Sequence, residues 1–554
     1  MKKQIALIFL LFSIFSGYAQ SDIKKGLDAI TDEAVKGQLG FLASDWTEGR
    51  AFGTKGAYLA SDYIASVFKV YGIKPFGDII ESSSAGSEQQ NGNSQNFERS
   101  YFQNFSMLEY SAGDEQFFSV INNSSESKIN FNYKTDFSVF SGTVGQTAEA
   151  PVVFAGYGFQ DDKGMYDDLD NIDVEDKIVV IITGFPGHKD PSSAAFKKFA
   201  PEGSRGKYRI ERNKWKKLEN EGAIAIVRLS TDIDPAFYWA SNKVYPAKGK
   251  YFESDEPFPT YYDTRAALPG DTLNQGIPVF LVTERAGNYI LEGTGINIEE
   301  FERNSADKMI TASRDISDKT ISFHTTVNSK ITKVRNVLGY IEGKNKDEYI
   351  VVGGHYDHVG KYNGWIWNGA DDNASGTVGV MTIAKAFMAT GKKPEKSVIF
   401  AAWTAEEKGL WGSRYFVNEA NKSELDILLN LNYDMIARDS KDDSLMNKAS
   451  MGYTKANAGI EKLTKQNIEK YGINLDVKYN PVKNPRGGSD FSSFAERDIP
   501  VFYFMAAMHP DYHLPSDELD KINWEKMINI IKIGFLNTWE FANSDKYLNK
   551  EELP

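Results

Sequence analysis

The chain has 554 residues, 41% of them hydrophobic and 13% aromatic, with a formal net charge of -13 and no cysteine. That length allows two or more domains with sizeable cores, and the composition is that of a globular protein rather than a disordered or fibrous one. The acidic balance argues against nucleic acid or an anionic membrane surface as partner, and the lack of thiols removes disulfide support.

In chain order, the first element is MKKQIALIFLLFSIFSGYAQ (1–20), with two lysines, an apolar run from Ile5 to Phe15 and small residues at Gly17 and Ala19. This is the order of a secretory signal peptide, and the apolar run is too short to span a bilayer. An exported protein, periplasmic or secreted, with no integral membrane segment is therefore expected. Residues 21–140 are expected to form a helical N-terminal part of the main domain. Ala60, Tyr63, Ile64, Val67, Phe68 and Tyr71 recur at helical spacing there, and Gly72 with Pro75 ends the run. The polar, low-complexity stretch 82–97 reads as a surface loop.

From 141 to 310 the pattern becomes strand-rich. PVVFAGYGF (151–159), KIVVIITGF (177–185), AIAIVRL (223–229) and IPVFLV (277–282) are short β-branched runs separated by Gly, Asp and Pro, which predicts a small inserted β-rich domain. The aromatic stretch 237–263 reads as a long loop packing its rings on its own domain, with a lid or substrate wall as the alternative. From 311 to 554 apolar strands alternate with helical segments: VLGYIEG, YIVVGG, SVIFAAW, DILLNLN and IPVFYF, with a helix over 374–390. The expected fold class is thus α/β, a mixed and largely parallel sheet flanked by helices, carrying the inserted domain.

Four of these strands release ionisable residues just past their C-terminal ends. YIVVGG leads to His355 and Asp357, SVIFAAW to Glu406 and Glu407, DILLNLN to Asp434, and IPVFYF to His509 and His513. NGADDNASG (368–376) adds acids at a helix start. In open α/β sheets that edge is where ligands bind. Each residue alone is more simply a solvated loop residue or a helix cap. Gathered in one cleft, so many carboxylates would repel one another unless divalent cations compensated them. Imidazole and carboxylate without thiolate suit zinc in an open site, and five donors exceed what one zinc needs, so two metals sharing a carboxylate is the economical count. The adjacent glutamates can then divide the work, one binding metal and the other acting as general base.

The motifs GGHYDH, GADDNASG, TAEEKGLWGS, NYDMIA, RGGSDFSSF and DYHLPSDE, in this order, resemble the di-zinc exopeptidases, a family that includes bacterial leucine-type aminopeptidases, glutamate carboxypeptidase and the catalytically dead transferrin receptor. The resemblance covers roughly 330–530. FLASDWTEGRAFGTKGAYLASDYIA (41–65) is similar to the N-terminal helices of bacterial members, and the region around 145–290 resembles a protease-associated domain. By motif position the resemblance implies two Zn²⁺ ions held by His355, Asp372, Glu407, Asp434 and His513, with Asp372 bridging. It implies Glu406 as general base, Asp357 as the partner orienting His355, and Tyr512 as donor to the developing oxyanion. Asp371 is then structural. His358 and His509 match no family role and read as bystanders near the pocket rim, and His188 and His324 lie outside the motifs. Phe491 stands where many members have a histidine after Ser-Asp, and Arg486 either contacts substrate or is solvated. The implied activity is hydrolysis of N-terminal residues from peptide substrates. The alternatives are a carboxypeptidase or dipeptidase and, further off, a glutaminyl cyclase or a non-catalytic binding protein.

Overall fold

The computed structural model describes residues 21–80, 98–133, 135–140, 142, 144–201, 206–229, 264–270, 276–362 and 364–548. The expected signal segment, the 82–97 loop and the aromatic stretch 237–263 lie outside the described residues. Two compact units are formed, one from Met1–Met107 with Thr332–Pro554 and the other from Leu108–Ile331.

The first unit is built on a mixed sheet. Its longer strands, in chain order, are β1 (Phe102–Ala112), β2 (Val327–Ile341), β3 (Asn345–His355), β4 (Lys396–Trp403), β5 (Asp426–Tyr433), β6 (Lys448–Thr454), β7 (Asp476–Val482) and β8 (Val501–Met505), and they lie in the order β1-β2-β4-β3-β5-β8-β6-β7, with the short strands Thr264–Ala267 on β1 and Lys74–Pro75 on β2. The central four, β4, β3, β5 and β8, are mutually parallel, with His355 level with Trp403 and Tyr433 level with Phe504. Four parallel strands in consecutive places bring four C-terminal ends to one edge. Near-continuous apolar sequence is what such strands need, because both faces are covered.

The alternation of side chains along each strand divides them between two layers. Ile350, Val352, Val398, Phe400, Leu429 and Leu431 pack into the larger core with the helices α1 (Asp32–Leu42), α2 (Lys55–Val70), α3 (Gly376–Ala389) and α6 (Trp524–Asn543). Val351, Ile399, Ala401 and Trp403 pack on the other face against Phe416 and Val417 of α4 (Trp411–Lys422) and against Phe494. α5 (Gly459–Tyr471) adds Ile460 and Leu463 to the larger core. α6 crosses β5 closely enough that a Cβ on Gly534 would lie 1.6 Å from Tyr433 Oη, and that hydroxyl donates to Ile530 O at 3.0 Å. The N-terminal helices are capped as local chemistry dictates: Thr31 accepts from Ala34 N, and Thr54 from Ala57 N. α2 ends at Val70, just before the predicted stop at Gly72.

The second unit carries an eight-stranded sheet in the order Ser127–Phe131, Phe117–Asn122, Arg314–Thr325, Gln146–Phe154, Ile178–Ile182, Ala225–Leu229, Val279–Val282, Phe137–Val139. Two expectations differ here. The unit runs over 108–331 rather than 141–310, because Phe117–Asn122 and Arg314–Thr325, which flank the expected segment, pair with each other, and Arg314–Thr325 also pairs with its first strand. Residues 98–140 are not helical either, since Phe102–Ala112, Phe117–Asn122 and Ser127–Phe131 are strands. The half-exposed alternation of Phe102–Ala112 is the period-2 signal that was open to reading as strand. The unit is also less purely β than expected, with helices Gly206–Asn220, Glu284–Leu291 and Ile298–Lys308 beside its parallel strands.

Among the described residues, no helix is long and apolar enough to cross a membrane.

Candidate metal centre

The chain turns sharply where the parallel strands end. Ala405 after β4, Met435 after β5 and His513 in the loop beyond β8 all have positive φ, a conformation that non-glycine residues adopt only where surrounding structure enforces it. Gly369, before the Asp371-Asp372 pair, has φ of +52°, and a Cβ there would stand 2.1 Å from Asp372 O. These turns aim ionisable side chains inward that a strand or helix would splay apart.

Two sets of donors result. His358, Asp372, Glu407 and His513 offer ligand atoms lying within 4.8 Å of one another, as do His355, Glu406 and Asp434. Asp372 links the two sets: its Oδ1 is 3.5 Å from His355 Nε2 and its Oδ2 is 2.8 Å from His513 Nε2. His355 Nε2 is also 3.6 Å from Asp434 Oδ1, and His513 Nε2 is 3.2 Å from Glu407 Oε2. Donors about 2.0–2.1 Å from a tetrahedral zinc stand about 3.3 Å apart, so these spacings fit such an ion on either side of Asp372. The donor chemistry fits as well, since imidazole and carboxylate are both zinc ligands.

Electrostatics separates the paired glutamates. Burial, joined by the neighbouring carboxylates Glu407, Asp434 and Asp490, pushes the Glu406 carboxyl well above its ordinary range, with His355 opposing. Burial opposes ionisation of Glu407 too, but the His513 and His358 contacts outweigh it and hold that carboxyl well below. His513 shows the reverse balance: burial favours its neutral form, whereas Glu407 and Asp372 push it up to about 10. Glu406 and Asp434 are also the more open members, with side chains 13% and 21% exposed against 5% or less for Asp372, Glu407 and His513.

The remaining motif residues support this frame. Asp357 is buried, its Oδ1 accepts from Glu406 N at 3.1 Å and stands 3.8 Å from His355 Nδ1, and its own backbone carbonyl is nearer to that nitrogen at 3.1 Å. Tyr512 stacks on His513 with ring centroids 3.7 Å apart. Asp371 points away from the donor sets, accepting from Ala437 N at 2.7 Å. The backbone N–H groups of Asp371 and Asp372 donate to Asp517, which anchors the loop. Arg50, fully buried, donates to the carbonyls of Leu42, Tyr356, Asn368 and Gly369, tying α1 to two of the site's loops.

The rim positions expected for His358 and His509 are corrected: both are buried. His358 Nδ1 is 2.9 Å from Glu407 Oε1, and His509 Nε2 is 3.3 Å from Asp371 Oδ2. Phe491 stacks on Tyr503 at 3.8 Å and 3°, so the ring that replaces the expected histidine joins the apolar layer. Arg486 is exposed. Asp490 was not singled out from the sequence, yet it is wholly buried, its carboxyl pushed up to about 7 by burial with His355 opposing. Its only sequence signal is its place in the RGGSD motif.

Asp511 secures the loop that carries His513, accepting from Arg438 at 2.6 Å, Lys521 at 2.7 Å and Ser516 at 2.6 Å. Burial opposes its ionisation, but these donors hold the carboxyl at about 2, below the ordinary 3.8. A depressed carboxylate stabilises the fold above its unfolded pKa and loses that contribution as pH falls through the folded one. The difference in Tm between the parent and Asp511→Asn is therefore widest above about pH 4 and closes toward pH 2, as thermal melts across that range would record.

Residues 336–535 match the model of Peptidase family M28. Leucine aminopeptidase 2 of Trichophyton rubrum is 32% identical over 167 residues, 30% of this chain and 32% of that protein. The glutamate carboxypeptidase 2 homolog of Caenorhabditis elegans is 39% identical over 104 residues, 18% of this chain and 12% of that protein. The first of these alignments thus spans about a third of the curated relative's length. An aminopeptidase from Aneurinibacillus sp. strain AM-1 shares the fold with a TM-score of 0.56 at 18% identity, over 95% of this chain and 97% of that one. A zinc aminopeptidase from Bacillus subtilis shares the same mixed α/β architecture with a TM-score of 0.50 at 18% identity, over 96% of this chain and 98% of that one, and the family resemblance read from the motifs holds for the matched segment 336–535.

Proposed function

We propose that this chain, which matches Peptidase family M28 over residues 336–535, is an exported di-zinc aminopeptidase that removes N-terminal residues from peptides. The observation that carries the reading is the placement of Asp372, whose two oxygens face different histidines, His355 and His513, in two adjoining donor sets.

In this reading His355, Asp372 and Asp434 would hold one ion, and Asp372, Glu407 and His513 would hold the other. Such ions would supply Lewis acidity toward a carbonyl oxygen and a water molecule. Glu406 accepts the proton of the attacking water at its carboxylate and delivers it to the departing amine nitrogen. Burial holds its carboxyl above the ordinary range, the direction that favours a group which both takes up and returns a proton. Tyr512, lying against His513, donates its phenolic proton toward the oxygen that becomes negative. A free amino terminus is favoured beside so many carboxylates, whereas a substrate carboxylate would need a cationic group reaching the site. The inserted unit, 108–331, is assigned by resemblance alone as a protease-associated domain.

The C. elegans match keeps a carboxypeptidase as the second reading. A ten-residue peptide offered free, N-acetylated and C-amidated to the zinc-loaded protein separates the two. Mass spectra are expected to show stepwise loss from the N-terminus, abolished only by acetylation. Loss from the other end, abolished only by amidation, would overturn the assignment.

A further inference from the structure

His358 falls within the first donor set by distance, yet the family motifs give it no role. Its side chain is fully buried. Nδ1 is 2.9 Å from Glu407 Oε1 and 3.9 Å from Asp372 Oδ2. His513, by contrast, presents Nε2 to the point where Asp372 Oδ2 and Glu407 Oε2 converge, at 2.8 and 3.2 Å. The two imidazoles therefore engage different oxygens of one carboxylate, with ring centroids 5.5 Å apart.

The ring is held in place from two sides. The backbone N–H of His358 donates to Arg50 O at 3.3 Å. Gly369 closes against the imidazole so tightly that a Cβ there would stand 2.4 Å from its Cδ2 and 2.6 Å from its Cγ. A side chain wedged in this way cannot swing toward the convergence point without displacing the loop that carries Asp372.

We infer that His358 is a positioning residue for the metal centre: its Nδ1–H donates to Glu407 Oε1 and turns Oε2 toward the ion shared with Asp372 and His513. A ligating carboxylate whose second oxygen is fixed by a hydrogen bond presents the first in one orientation, and loss of such an outer partner weakens metal affinity by roughly 10–100-fold. The inference rests on the two-zinc reading above and adds a residue to it.

Side-chain geometry provides the test. An asparagine amide can place its nitrogen where Nδ1 stands, whereas a glutamine carries its donor one bond further, near Nε2. Apo-protein of the parent, His358→Asn and His358→Gln is titrated with zinc against a chromophoric chelator, with circular dichroism reporting the fold. The parent is expected to take up two ions. His358→Gln is expected to fold and to bind one of the two about 10–100-fold more weakly, with the other unchanged. His358→Asn is expected to restore most of that loss. Equal affinities in the parent and His358→Gln would overturn the inference, as would an asparagine variant as weak as the glutamine one, which would make His358 a ligand or a packing residue. A parent that binds no zinc would sink the metal reading itself, which is a different outcome.

Discussion

Glu406→Gln is expected to retain its zinc and to lose activity by at least the ~10²–10⁴-fold typical of a missing general base. The substitution keeps the shape of the side chain and removes only its ability to carry a proton. The prediction is demanding because Glu406 lies close enough to His355 and Asp434 to serve as a ligand, with Oε2 3.9 Å from His355 Nε2. Two features assign it to proton transfer instead. Its side chain is more open than that of Glu407, and burial lifts its carboxyl above the ordinary range while His513 and His358 hold Glu407 below it. Metal analysis beside peptide-hydrolysis rates checks the assignment. A variant that stays active contradicts it, and one that loses zinc moves Glu406 into the ligand set.

Asp372→Ala has a wider expected effect, because the residue is shared. Removing it takes one donor from each proposed ion and leaves His355 with Asp434 on one side and His513 with Glu407 on the other. Zinc content should fall below one ion per chain and hydrolysis to background. Zinc that binds only the native state stabilises it by mass action, so the rise in Tm on adding zinc to apo-parent should vanish in the variant. Glu407→Ala, in contrast, should lose one ion. If Asp372→Ala still binds two, the carboxylate is not a bridge.

The parts of the fold that were legible in the sequence are those that local pattern dictates. YIVVGG, SVIFAAW, DILLNLN and IPVFYF are apolar on both faces because helices cover both faces of β3, β4, β5 and β8. The ionisable residues that follow them converge because parallel strands end on one edge. The limits of the inserted unit were not legible, since Phe117–Asn122 and Arg314–Thr325 pair across some 200 residues of chain and neither signals its partner. His358 was misplaced for a related reason. Its proximity in sequence to His355 says nothing of Glu407, 49 residues on, or of the loop bearing Gly369, which closes against the same ring. Asp490 and Asp517 belong to motifs that were visible, but their burial depends on loops whose paths no periodicity encodes.

The most direct test of the account is a zinc titration of apo-protein in which bound metal and hydrolysis of a free-N-terminal peptide are followed together. The account predicts saturation at two ions per chain, with full activity reached only as the second site fills. Saturation at one ion with full activity, or hydrolysis by the metal-free protein, would contradict it.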